Sequence, residues 1–316
     1  MNALFVLAAD PISHSTDHKF IVVGDGFWLW SAYCTQLVLA GLITFYGMRW
    51  IAGKIATGPE SEGTARYITK NPIAGMIECV CLYLRDEIVR PLLHERTEKL
   101  MPFFWSLFFF ILVANLIGLI PLLDVVNLIA PGMIKEHMSP IGGTPTQSVY
   151  VTAILAIFAA AFINLQGLKE LGTVEYVKHL TGGVPLKPLF APIIAVVFVI
   201  EVLGTFIKPV ALAIRLFANM TAGHILLAQL LVFTGVGAAL LAKGDVVPGS
   251  IAFIAATLGS FAIYLLEIFV GFLQAFIFMF LTAVFTSLLA HHDEEHDHAD
   301  DDAVIEVPRG AEYAAT

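Results

Sequence analysis

The sequence predicts an all-α, polytopic membrane protein of five to six helices, the last two long, strongly tilted and paired as a hairpin. Three observations carry this fold class. The chain is 58% hydrophobic and 14% charged over 316 residues, against about 25% charged in a soluble domain. Apolar runs of bilayer length, roughly 20 residues each, recur along it. The formal charge of −9 is gathered at one end, where residues 291–316 hold nine acidic residues and one arginine, so the remaining body is close to neutral.

Residues 1–26 are an outer-side N-terminal segment. Its opening MNALFVLAADP has a short apolar run but no basic n-region, so it does not read as a standard cleaved signal peptide. The membrane domain spans 27–290. Its first span is expected at 27–51. The connection 52–100 follows, flanked and filled by Arg49, Lys54, Arg66, Lys70, Arg85, Arg90, Arg96 and Lys99. That basic excess marks it as cytoplasmic, with an amphipathic surface helix over Asn71–Leu92.

A second span is expected at 101–123. The loop 124–146, with Lys135 as its sole basic residue, belongs outside. The hydroxyls of TPTQS then start a third span at 149–168, since such side chains cap helix N-termini. Lys169, Lys178 and Lys187 put the next connection inside. Two apolar segments, 189–241 and 250–290, exceed what a perpendicular helix needs, and Pro192 and Pro209 are expected as a start and a bend. AKGDVVPG lies outside between them. The acidic, His-rich tail 291–316 ends in the cytoplasm, disordered, with no ligand spacing that would define a metal site. The result is an N-terminus outside and a C-terminus inside. Cys34, Cys79 and Cys81 are too few and too irregular for a disulfide framework.

Ionisable and amide residues within the two long segments are the candidate functional groups, because such residues at bilayer depth face a protein interior or an aqueous path. Glu201, Lys208 and Arg215 are spaced by seven, drifting about 20° per step, and so form one stripe. Ala211, Ala218 and Ala222 share the face of Arg215, where small side chains admit a close neighbour. Asn219 stays near that face, whereas His224, nine residues from Arg215, points to the other side. Glu267, Gly271 and Gln274 share a face on the last segment. Plainer readings stand beside these. Lys208 snorkels to the interface, Asn219 and Gln274 act as interhelical glue, Glu201 sits at the inner headgroups, and Arg215 is held by an internal salt bridge to Glu267. His14, His18, His94, His137 and His179 are surface histidines.

The run KPVALAIRLFANMTAGHIL, with LQAFIFMFLT at Leu273–Thr282 and NLIGLIP at Asn115–Pro121, resembles subunit a of F-type ATP synthases. The resemblance implies a stationary, proton-translocating subunit of the membrane sector, standing against a ring of c subunits that each carry one embedded carboxylate. It implies partners in that ring, the subunit b stalk, the rest of the synthase and the bilayer, with protons as the transported species, in a bacterial inner membrane. It calls for no cofactor, no metal and no nucleic acid. By resemblance Arg215 faces the ring and drives release of the ring's protons. Asn219, His224, Glu267 and Gln274, with Asn115, line the outer half-channel. Glu201 lines the inner one, with Lys208 in support. Many bacterial members place the acid and the histidine of positions 224 and 267 the other way round, which implies that His224 and Glu267 meet directly across the two long helices.

No phosphate-binding loop or nucleotide motif is present, so the chain is not a catalyst by itself. An unrelated ion-coupled transporter would show internal repeats. A haem carrier would need several histidines at depth, where only His224 is placed. Ring size and the choice of proton or sodium are properties of the ring subunit.

Overall fold

The computed structural model describes residues 19–23, 27–55, 69–120, 144–179 and 191–290. The expectations for residues 1–18, for most of the loop 124–146 and for the tail 291–316 lie outside the described residues. The membrane domain is helical, as expected. One short antiparallel ladder precedes it, pairing β1 (Lys19–Val23) with β2 (Phe27–Ser31). The apolar run FWLWS is therefore strand, and the first helix starts five residues later than the span expected at 27–51. That helix, α1 (Ala32–Ala52), is capped by Ser31, whose side chain accepts from the Cys34 N–H. The capping bond satisfies one of the free donors of the first turn.

The basic connection forms α2 (Pro72–Tyr83). Asn71 Oδ1 accepts from the N–H groups of Ile73 and Ala74, and proline at the first helical position costs no hydrogen bond. The segment then passes through a π-helical turn (Leu84–Val89), α3 (Arg90–Leu93) and a 3-10 turn (His94–Arg96) into α4 (Thr97–Leu119). The surface helix expected at Asn71–Leu92 is thus one leg of a bent unit docked on the bundle. Leu84, Val89 and Leu93 are buried with Phe104 and Phe108 of α4. Trp105 Nε1 donates to the Cys81 carbonyl at 3.1 Å. Only the outer face, with Ile73, Met76 and Tyr83, stays exposed.

The next helix, α5 (Val149–His179), turns back on itself at Gly172, whose φ of 74° and ψ of 170° are non-helical. This backbone region is open essentially to glycine alone. Consequently Tyr176 Oη donates to Asn164 Oδ1 at 2.5 Å, although twelve residues of straight helix would separate them by about 18 Å.

Two helices dominate the rest. They are α6 (Ala191–Lys243, 53 residues) and α7 (Val246–Ala290, 45 residues). At 1.5 Å per residue they are about 80 and 68 Å long, more than twice a hydrocarbon core of about 30 Å. Neither lies perpendicular to a bilayer within it. Pro192 sits in the first turn of α6 as expected, while the helix runs through Pro209 as one continuous element. The expected outer loop shrinks to Gly244 and Asp245, making a tight antiparallel hairpin. Contact between the two helices is close. A Cβ on Gly237 would stand 2.5 Å from the Phe253 nitrogen and 2.8 Å from its Cα.

Among the described residues four stretches are long and apolar enough to cross a membrane, 72–119, 149–169, 192–243 and 246–288. The 21-residue α1 is more polar, with Thr35, Gln36, Thr44 and Arg49 in it. The core lies where α4 meets α7, around Phe104, Phe108, Phe278 and Met279, with Leu212 and Leu216 of α6 closing it. Outward surfaces are apolar too, as at Phe45, Ile154, Phe206, Phe261 and Phe269. Such a surface suits lipid rather than water.

Candidate functional site

Arg215 lies on the side of α6 turned away from the bundle. It is exposed, as are Ala211, Ala218 and Ala222, while Leu212 and Leu216 on the other side are buried in the core. The sequence reading of one small-residue face around the arginine holds. Among the described residues Arg215 has no hydrogen-bond or ion-pair partner. The alternative of an internal salt bridge to Glu267 is therefore removed, because the helix turns the two side chains to different sides.

Behind that face, α6, α7, α4 and the turn 144–147 bring polar side chains together. Asn219 Nδ2 donates to Gln274 Oε1 at 2.9 Å, joining α6 to α7. One turn further along, Glu267 lies buried over Gly223. A Cβ there would overlap its Oε1 and come within 3.0 Å of its Cγ and Cδ. Glycine is thus the one residue that lets the carboxylate lie against the α6 backbone. The neighbouring His224 is half-buried, and its Nε2 shares a hydrogen bond with Thr144 Oγ1. Asn115, fully buried on α4, donates from Nδ2 to the Gly271 carbonyl at 3.0 Å and accepts from Thr146 Oγ1 at 2.9 Å.

Five residues expected on one path, Asn115, Asn219, His224, Glu267 and Gln274, thus line one side of the α6–α7 hairpin. Two buried polar atoms among them lack a protein partner, Glu267 Oε2 and Gln274 Nε2, as does Oγ1 of the nearby α6 residue Thr221. An unsatisfied polar atom in an apolar interior costs free energy, so these atoms are suited to binding water or a moving proton.

Glu201 and Lys208 form a separate group. Lys208 Nζ stands 3.9 Å from Glu201 Oε1 and 5.3 Å from the centre of the Phe285 ring. The pair is about one-third exposed, so its net worth is on the order of 1 kcal/mol or less. Tyr176 of α5 is close by: burial pushes its phenol pKa up, and the charge of Glu201 adds to the shift. On α6, Glu201 lies fourteen residues before Arg215 and His224 nine after it, about 21 Å and 14 Å along the axis. The two polar groups therefore flank the arginine.

The sequence reading missed Thr144, Thr146, Gln147 and Gln36. All four are buried, and both amide atoms of Gln36 and of Gln147 lack a protein partner. Of the TPTQS residues expected at the helix start, Ser148 takes that role, its carbonyl accepting from the Thr152 N–H. The available signal was an uncharged run of hydroxyl and amide side chains between two apolar spans. Among the described residues no His, Cys, Asp or Glu cluster is arranged to hold a metal.

Comparison with known proteins supplies the context. Residues 35–287 match a family model described as ATP synthase A chain. The chain is 34% identical over 227 residues to ATP synthase subunit a 2 of Chlorobaculum tepidum, covering 71% of this chain and 54% of that protein. It is 34% identical over 264 residues to ATP synthase subunit a of Chloroherpeton thalassium, covering 80% and 68%. With the Myxococcus xanthus subunit a the identity is 36% over 263 residues, covering 79% and 74%. The chain thus spans about half the length of the first of these relatives and roughly two thirds to three quarters of the others.

Proposed function

The chain belongs to the ATP synthase A chain family, and from that premise we propose that it is the stationary, proton-conducting subunit of an F-type ATP synthase. Its partners on this reading are a rotating ring of c subunits, the subunit b stalk and the remaining synthase subunits. It resides in a bacterial inner membrane, N-terminus outside and C-terminus in the cytoplasm. It is not catalytic alone, and ATP chemistry belongs to its partners.

The mechanism follows from the placement of charge. A ring carboxylate arrives protonated from lipid and meets Arg215 across the alanine-lined face. A permanent cation close by favours the ionised carboxylate, so the proton is released toward one side. The guanidinium stays charged at any cellular pH and bars a proton from passing straight between the two polar groups. Asn219, Gln274, Glu267, His224 and Asn115 form the outer half-channel, and Glu201 lines the inner one with Lys208 in support. Imidazole and carboxyl groups both relay protons. His224 and Glu267 act as a pair across the hairpin, the carboxylate over Gly223 serving the adjacent imidazole. Each charge moved is worth about 2.3 kcal/mol per 100 mV.

One observation carries this reading. Arg215 is exposed on an apolar, small-residue surface and has no partner among the described residues, which supports a counter-charge supplied by a neighbouring subunit. The test is Arg215→Ala in inverted membrane vesicles containing the whole complex. ATP-driven proton pumping is expected to disappear while the subunit remains assembled. Undiminished pumping would overturn the proposal.

A further inference from the structure

We infer that Thr144 is a positioning residue for proton relay at His224, and that Gly118 holds it in place. The inference rests on the assignment of His224 to the outer path and adds a group from outside the two long helices. Thr144 is fully buried, and its Oγ1 bonds to His224 Nε2. Its seat is shaped by α4, because a Cβ on Gly118 would overlap Thr144 Cβ, Oγ1 and Cγ2. The segment that presents it is tied down twice more. The Gln147 N–H donates to the Thr144 carbonyl at 2.9 Å, and Thr146 Oγ1 donates to Asn115.

A hydroxyl fits the task for a chemical reason. It both donates and accepts. It donates to Nε2 when that nitrogen is bare, and accepts from it when that nitrogen carries a proton. The imidazole therefore keeps one orientation through a cycle of protonation and release. A backbone carbonyl accepts only, and would favour one state. The proton that Nε2 gains or loses crosses this same bond, the hydroxyl giving up one proton as it takes another, so Thr144 holds the ring in place and ends each transfer unchanged.

The experiment compares ATP-driven pumping per assembled complex in inverted vesicles for Thr144→Val, Thr144→Ser, Gly118→Ala and His224→Asn. Valine keeps the shape and removes the hydroxyl, and a hydrogen bond to a charged group is worth about tenfold or more. Thr144→Val is expected to lose about tenfold, Thr144→Ser to stay within about twofold, and Gly118→Ala to fall with the valine variant. Normal pumping by Thr144→Val beside a defective His224→Asn overturns the role of Thr144 alone. A serine variant as impaired as the valine one also overturns it, because packing of the methyl group would then be what matters. Normal pumping by His224→Asn overturns the assignment of His224 itself.

Discussion

Gly223→Ala tests whether proton transfer depends on where the Glu267 carboxylate lies. The added methyl would overlap Oε1 and sit 3.0 Å from Cγ and Cδ, whereas ordinary contacts begin at 3.4 Å. The side chain must therefore retreat by several tenths of an ångström, and its tip by more. Overpacking a tight interior costs about 1–3 kcal/mol. The obstructing atoms are the free end of a side chain, so rotating it away, at about 0.5–1.5 kcal/mol, is the cheaper response. The fold survives that. Function is less tolerant, because a relay needs partners within about 2.6–3.2 Å and a misplacement of about 1 Å costs on the order of a hundredfold. Dye-quench pumping in inverted vesicles should fall about ten- to a hundredfold with near-normal subunit levels. Glu267→Asp, one methylene shorter, should restore part of the flux in the alanine background. Two results refute the reasoning: undiminished pumping in the single variant, or loss of the subunit from the membrane, which would mean packing outweighs transfer.

Two further outcomes follow from the same structure. Gly172→Ala forces a side chain into a backbone region essentially closed to it, at about 1–3 kcal/mol; limited proteolysis should then cut near residue 172 more readily than in the parent chain. Asn115→Leu removes the bonds to the Gly271 carbonyl and Thr146 Oγ1 and leaves the buried Thr146 hydroxyl without its acceptor, a loss of about 1–3 kcal/mol; it should lower both the thermal resistance of the complex in detergent and its pumping, with unchanged values counting against the assignment.

Much of this architecture was legible in residue order. The two long helices are announced by length and by apolar runs that no soluble helix needs. The face around Arg215 is legible because a spacing of three, four or seven residues is a local property of a helix. The partners of Asn115 and His224 are not local. Thr146 and Thr144 reach them across 31 and 80 residues of sequence, in a turn too short to show periodicity. The strand at Phe27–Ser31 was hidden for another reason, since a short apolar run fits helix and strand alike. The fold-back of α5 hinges on one glycine, Gly172, whose sign of φ no neighbouring residue reveals. Pro209 lies within one continuous helix rather than at a break between two.

Under the proposed function, an Arg215 with no partner among the described residues also bears on how such a subunit comes to exist in a cell. A lone guanidinium among lipid tails raises the free energy of the newly inserted chain by about 2.5–3.5 kcal/mol, roughly a hundredfold in equilibrium population. A neighbour offering a carboxylate at the same depth removes that penalty, and an uncharged neighbour does not. Biogenesis thus acquires a built-in check. On the proposed function, the subunit without its ring is then the costly species, and a ring carboxylate at the depth of Arg215 relieves the cost.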